Sequence, residues 1–288
     1  MTGIWRSTAG EQAVKEQYRA ILGHWPVPAE QRIVATGFGD TFVLVSGPAE
    51  APPVVLLHGS AGNAVTWMGD IAALAQRFRV YVVDMIGEPG LSAPTRPGLE
   101  SGALAAWLAE VWDALGLEKA ALVGMSLGGL VSLQFATRYP ERLERLGLLC
   151  PSGIGRQLIG KVLLALLVRP FGKGGRRKAA ELILGAVIEA PDGPARVIAD
   201  FFALVNKNFK PRMGKMPPLT DAELRRLAMP VLAIVGGRDA MLDSAETKRR
   251  LEANAPHAKV LLLPERGHLL IGLTQQIEEF LTAGRAHA

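Results

Sequence analysis

Val123-Gly124-Met125-Ser126-Leu127-Gly128-Gly129 decides how the rest of this 288-residue chain is read. The stretch follows an apolar run at residues 120–123 and precedes a helical pattern over residues 127–139. G-x-S-x-G between a strand and a helix describes a very tight turn. The serine there takes a strained backbone conformation, and side chains beside it would collide. Gly124 and Gly128 remove the Cβ atoms that would clash. Ser126 Oγ then stands proud of the strand ends at a helix N-terminus. The Leu127 N–H is aimed where negative charge would develop.

Similar apolar runs recur at residues 54–57, 80–83, 146–149, 231–235 and 260–263. They are apolar throughout rather than alternating, which is how strands buried on both faces of a parallel sheet read. Helical patterns at residues 66–78, 102–115, 244–253 and 269–281 separate them, so the chain is built from βαβ units. Residues 31–36 and 41–46, joined by Gly37-Phe38-Gly39-Asp40, read as an antiparallel hairpin at the sheet edge. A leading helix is expected over residues 11–22. The alternation breaks once. Residues 151–218 hold no strand-like run and read as helices over 158–168, 178–188 and 195–206. This predicts an α/β core of residues 1–150 and 219–288, with a helical cap of 151–218 inserted after the sixth strand.

A serine hydroxyl is a weak nucleophile and needs a base that is itself oriented by an acid. Val235-Gly236-Gly237-Arg238-Asp239 and Arg266-Gly267-His268-Leu269 both follow strands, and the second is expected to open the last helix. Asp239 and His268 therefore lie at the same sheet edge as Ser126, where open α/β sheets place ligands. His268 is the expected base and Asp239 the acid that orients it. Asp239 as a mere helix cap is less apt, since Asp243 or Ser244 is better placed. His257 precedes a strand, and His24 and His287 lie outside the βα pattern. The loop His58-Gly59-Ser60-Ala61, after the third strand, is expected to supply a second oxyanion donor. Gly59 lets the backbone approach, the Ser60 N–H is the expected donor, and Ala61 is the next choice. His58 reads as a structural hydrogen-bonder holding that loop.

Taken together, HGSAGNAVTW (58–67), DMIGEPGLS (84–92), VGMSLGG (123–129), GGRDAML (236–242) and ERGHLL (265–270) resemble the α/β-hydrolase superfamily. The likeness is to its serine-nucleophile branch and to bacterial carboxylesterase-like members. It spans about residues 31–281. The resemblance implies an eight-stranded, mostly parallel sheet with helices on both faces, and hydrolase activity without a cofactor; no H-x-x-x-H or Cys/His spacing suggests a metal site. It also implies that the loop from Asp84, one residue longer than the family pattern, shapes the pocket without taking part in the chemistry. Ser126 stands where haloalkane dehalogenases and soluble epoxide hydrolases of the superfamily carry aspartate. The expected reaction is cleavage of a small to medium hydrophobic carboxylic ester through an acyl-enzyme. The same triad would serve a lactone, a thioester, C–C bond hydrolysis or perhydrolysis. A non-catalytic, ligand-binding member of the fold is the alternative from another class.

Composition agrees with an ordinary globular protein: 49% apolar, 20% charged, and 32 glycines without a repeat. The single cysteine, Cys150, allows no internal disulfide and no cysteine-rich metal site. The N-terminus lacks the apolar core of a secretory signal, and the greasiest run, 158–168, is too short to span a bilayer. A cytoplasmic protein is expected. Of the net charge of +5, residues 151–218 carry +8, from twelve Lys/Arg against four Asp/Glu, which leaves −3 for the remainder. The charge thus sits in a basic, apolar cap over a slightly acidic core and is not a nucleic-acid footprint; the resemblance implies a small-molecule ester or related acyl substrate. A homodimer is left open by the sequence.

Overall fold

The computed structural model describes residues 3–158, 193–212 and 216–284, with single positions between them (160, 164, 167, 168, 170–172, 174, 175, 178, 179 and 182). Eight strands form one sheet: β1 (Ala29–Val34), β2 (Thr41–Ser46), β3 (Pro53–Leu57), β4 (Arg79–Val83), β5 (Ala120–Met125), β6 (Leu143–Leu149), β7 (Val231–Gly236) and β8 (Lys259–Leu263). Their order is β1-β2-β4-β3-β5-β6-β7-β8. β1 and β2 form the antiparallel edge hairpin, and β2 also runs antiparallel to β4. Every other pairing is parallel. The central strands are buried on both faces, as their unbroken apolar sequences require.

The chain runs from β3 outward to β4, then crosses back to place β5 on the other flank of β3. The strand order therefore reverses between β3 and β5. Crevices at the carboxyl ends of such strands are where open α/β sheets bind ligands. In register, Leu57 lies opposite Gly124, so the loops after β3 and β5 leave the sheet side by side.

Helices cover both faces. One layer contains α3 (Ala103–Ala114) and α4 (Leu127–Arg138), with Trp107, Trp112 and Phe135 fully buried. The other contains α1 (Thr8–Leu22), α2 (Ile71–Arg77) and α5 (Pro194–Asn208), with Tyr18, Phe78, Phe201 and Phe209 buried. Aromatic pairs tie these layers internally: Trp112 on Phe135 at 4.7 Å and Tyr18 stacked on Phe201 at 5.9 Å. Burying each such ring contributes about 1.5–3 kcal/mol. Among the described residues the further helices are α6 (Asp221–Leu224), α7 (Ser244–Asn254) and α8 (Thr274–Thr282).

Two helices depart from the sequence expectation. The 66–78 pattern divides into a 3₁₀ turn, Ala64–Trp67, and α2. Asn63 caps the turn through its side chain, and α2 begins anew after Asp70. The last helix starts at Thr274 rather than at residue 269. Leu270 and Leu273 are instead buried in the loop, which anchors the segment carrying His268.

The expected helix over 195–206 is α5, docked on α1. Those over 158–168 and 178–188 lie mostly outside the described residues. The ends of the inserted stretch are knitted into the core. Leu158 N–H donates to Met241 O (2.8 Å), Leu219 N–H to Gly153 O (2.8 Å), and Lys210 N–H to Ile4 O (2.9 Å). Among the described residues no helix is long and apolar enough to cross a membrane.

Candidate active site

Ser126 sits between β5 and α4 with φ 51° and ψ −110°, a backbone conformation that L-residues rarely adopt. The surroundings enforce it. A Cβ on Gly124 would lie 2.4 Å from the Gly128 carbonyl oxygen, and one on Gly128 would lie 2.6 Å from the carbonyl oxygens of Leu57 and His58. Only glycine fits at either place. Ser126 N–H donates to Leu149 O (2.9 Å), and its carbonyl accepts from Leu130 and Ser152. The hydroxyl is thus aimed by the backbone of β6 and α4.

Asp239 and His268 come from the loops after β7 and β8, and they meet Ser126 although 142 residues separate Ser126 from His268. His268 Nε2 lies 3.0 Å from Ser126 Oγ, and His268 Nδ1 lies 2.8 Å from Asp239 Oδ2. A carboxylate only accepts, so Nδ1 carries a proton and Nε2 is left to accept from the hydroxyl. The other Asp239 oxygen accepts the N–H groups of Met241 (2.7 Å) and Leu242 (3.0 Å). Burial alone would raise this carboxyl. The bond to His268 and the two amides outweigh burial and hold it below the usual range. Asp243, not Asp239, caps α7, accepting from Glu246 N–H at 2.9 Å.

The loop after β3 lies against the serine: a Cβ on Gly59 would stand 3.4 Å from Ser126 Cβ. Gly62 N–H donates to Gly59 O (3.1 Å), closing a turn that contains Ser60 and Ala61. Ala61 takes φ 57°, and its N–H is spent on Glu88 Oε2 at 2.7 Å. Ala61 is therefore unavailable as an oxyanion donor, which leaves Ser60 as the candidate in this loop. Leu127 is the first residue of α4, so its N–H has no acceptor within the helix.

His58 is wholly buried beneath this loop. Its Nε2 accepts Met85 N–H (2.9 Å), so Nδ1 carries the proton and donates to Gly59 O (2.8 Å). Burial pushes its pKa down to about 4, and the Gly59 bond opposes this only in part. Asp84, also fully buried, accepts from Tyr18 OH (3.0 Å), Ala64 N–H (2.9 Å) and Leu91 N–H (2.9 Å). It joins α1, the 3₁₀ turn and its own loop; burial pushes it up to about 6 against those bonds.

Besides the Tyr18–Asp84 bond, two contacts went unforeseen in the sequence. One is the Glu88–Ala61 bond, made from within the 84–92 loop. The other involves Cys150, which follows β6 at φ 40° and reads from sequence as plain core. The ligand atoms of Cys150, Asp239 and His268 lie within 4.8 Å of one another. Its position at a strand's carboxyl end was the available signal. Burial, with Asp239's charge beside it, pushes the thiol well above its ordinary range. A metal would need the thiolate and a free carboxylate, whereas both Asp239 oxygens are engaged. The cluster fits a hydrogen-bonded relay better than a ligand set.

A family model for the alpha/beta hydrolase fold matches residues 52–183. The chain is 31% identical over 277 residues to carboxylesterase YbfK of Bacillus subtilis (strain 168), covering 93% of each. The crystal structure of carboxylesterase CesB (YbfK) from Bacillus subtilis superposes with a TM-score of 0.81 at 30% identity, over 96% of this chain and all (100%) of that one. Naproxen esterase (carboxylesterase NP) from Bacillus subtilis superposes with a TM-score of 0.80 at 26% identity, over 96% and 99% of the two chains.

Proposed function

The chain belongs to the α/β-hydrolase fold family and is a carboxylesterase-like hydrolase, and from that premise we propose that it cleaves small to medium hydrophobic carboxylic esters through an acyl-enzyme on Ser126. The observation that carries this reading is the unbroken chain of contacts from Asp239 through His268 to Ser126, at 2.8 and 3.0 Å.

In this mechanism His268 Nε2 takes the Ser126 proton as Oγ attacks the ester carbonyl. Asp239 keeps the proton on Nδ1 and stabilises the imidazolium that forms. The N–H groups of Leu127 and Ser60 bind the oxyanion, assisted by the N-terminus of α4. As the tetrahedral intermediate collapses, the C–O bond to the alcohol breaks and His268 returns its proton to the departing oxygen. Water then attacks the acyl-enzyme, giving its proton to His268. Release of the acid returns that proton to Ser126 Oγ.

We assign substrate choice to residues 151–218 as a cap. Its apolar run at 158–168 suits a hydrophobic acyl or alcohol group, and its charge of +8 favours an acidic product. The test is hydrolysis of p-nitrophenyl acetate, butyrate and octanoate by wild type, Ser126→Ala and His268→Ala. Turnover by wild type that is lost in both variants is expected. Turnover surviving Ser126→Ala would move the nucleophile elsewhere.

A further inference from the structure

Glu88 is 1% exposed, and its two carboxylate oxygens serve different masters. Oε2 accepts the Ala61 N–H at 2.7 Å; Oε1 accepts Arg212 Nε at 3.3 Å. Arg212 belongs to the inserted stretch and is itself nearly buried (9%). Its remaining nitrogens donate to Pro97 O (2.8 Å) and Ile86 O (3.5 Å), so it is fastened to the 84–97 segment. Arg96 also faces Glu88, and it donates to Gly87 O (2.9 Å) and Lys210 O (2.6 Å). A second bond, Asn63 Nδ2 to Pro89 O (2.9 Å), joins the same two loops.

Ala61 holds a positive φ that an alanine does not choose unaided. Released from Glu88, its peptide would relax and carry the neighbouring Ser60 N–H with it. A bare carboxylate beside an oxyanion would also oppose the charge developing there; the two guanidinium groups offset it.

We propose that Glu88 is a positioning residue for the oxyanion site: by holding the Ala61 N–H, with Arg212 and Arg96 balancing its charge, it fixes the 59–62 turn so that the Ser60 N–H faces the reacting carbonyl. This deepens the reading of Ser126 as an esterase nucleophile and rests on it. It also ties the oxyanion loop to residues 210–212 of the inserted stretch.

The test uses the full chain and p-nitrophenyl butyrate, with kcat expressed per active site titrated by a fluorophosphonate. Glu88→Ala is expected to lower kcat per titrated site by roughly 10- to 100-fold, part of what losing an oxyanion donor costs, with KM within about 3-fold. Glu88→Gln keeps an acceptor for Ala61 and should recover most of that loss. Arg212→Ala leaves the carboxylate unbalanced and should also lower kcat per site. A merely structural role would reduce the number of titratable sites, not the rate at each. Wild-type kcat per site in Glu88→Ala, or a loss of sites alone, would overturn this role. If Glu88→Ala does not fold, equal kcat per site in wild type, Glu88→Gln and Arg212→Ala would do the same. A wild type that turns over no ester would overturn the underlying reading and this role with it.

Discussion

Two histidines stand at carboxyl ends of parallel strands, both buried, and they differ in what they touch. His58, after β3, bonds only to backbone: Met85 N–H and the Gly59 carbonyl. His268, after β8, bonds only to side chains: a carboxylate and a hydroxyl. Backbone partners cannot change protonation, so His58 is locked neutral in one tautomer and serves as a strut. A carboxylate on one nitrogen and a hydroxyl on the other let His268 accept a proton and keep it briefly. Burial alone does not make a histidine functional; the chemistry of its partners does.

The comparison can be broken most sharply by removing each ring. His268→Ala should cost on the order of 10⁶ in kcat, the loss seen when a triad base is deleted, with little change in thermal stability. Similar kcat in His268→Ala and wild type would end its claim to be the base. Asp239→Asn comes next. It should cost up to about 10⁴ in kcat by presenting the wrong imidazole tautomer, measured on the same ester; an undiminished rate would place the acid elsewhere.

His58→Ala should act on stability instead. It strands the Met85 N–H and Gly59 carbonyl in the core, at about 1–3 kcal/mol, read by urea denaturation. Active sites that still titrate should lose far less than in His268→Ala. A His58→Ala enzyme of wild-type stability that lost activity as His268→Ala does would erase the distinction.

The smallest effect concerns the acids beneath the same loop. Burial pushes Asp84 up to about 6 and Glu88 up to about 7, the latter against Ala61 N–H, Arg212 and Arg96. Between pH 4.5 and 7 the native state therefore holds protons that the unfolded chain has released. Stability from these groups is fully present at low pH and is lost as pH rises through 7. His58, whose pKa is pushed down to about 4, acts with the opposite sign in this window, so the comparison is between variants: from pH 5 to 8 the wild type should lose about 1–3 kcal/mol more unfolding free energy than Glu88→Gln. Identical slopes would show that Glu88 ionises normally.

Much of this was legible in the chain itself. Unbroken apolar runs such as residues 120–123 and 231–235 could only be strands of a covered parallel sheet. G-x-S-x-G after one of them located Ser126, and strand ends located Asp239 and His268. Those signals are local: each depends on residues within a few positions of one another. The start of α8 at Thr274 was not legible, because burial of Leu270 and Leu273 overrides helix propensity before it. Neither were the long-range contacts. Glu88 reaching Ala61, Tyr18 reaching Asp84 and Cys150 beside Asp239 are set by strand order and loop height, which no short pattern encodes.

The most direct measurement is peptide mapping of the acyl-enzyme. Wild type mixed with excess p-nitrophenyl butyrate and acid-quenched within the burst should carry one butyryl group, on the peptide containing Ser126, and Ser126→Ala should carry none. A butyryl group on another residue, or full steady-state turnover with no covalent intermediate at Ser126, would contradict the account.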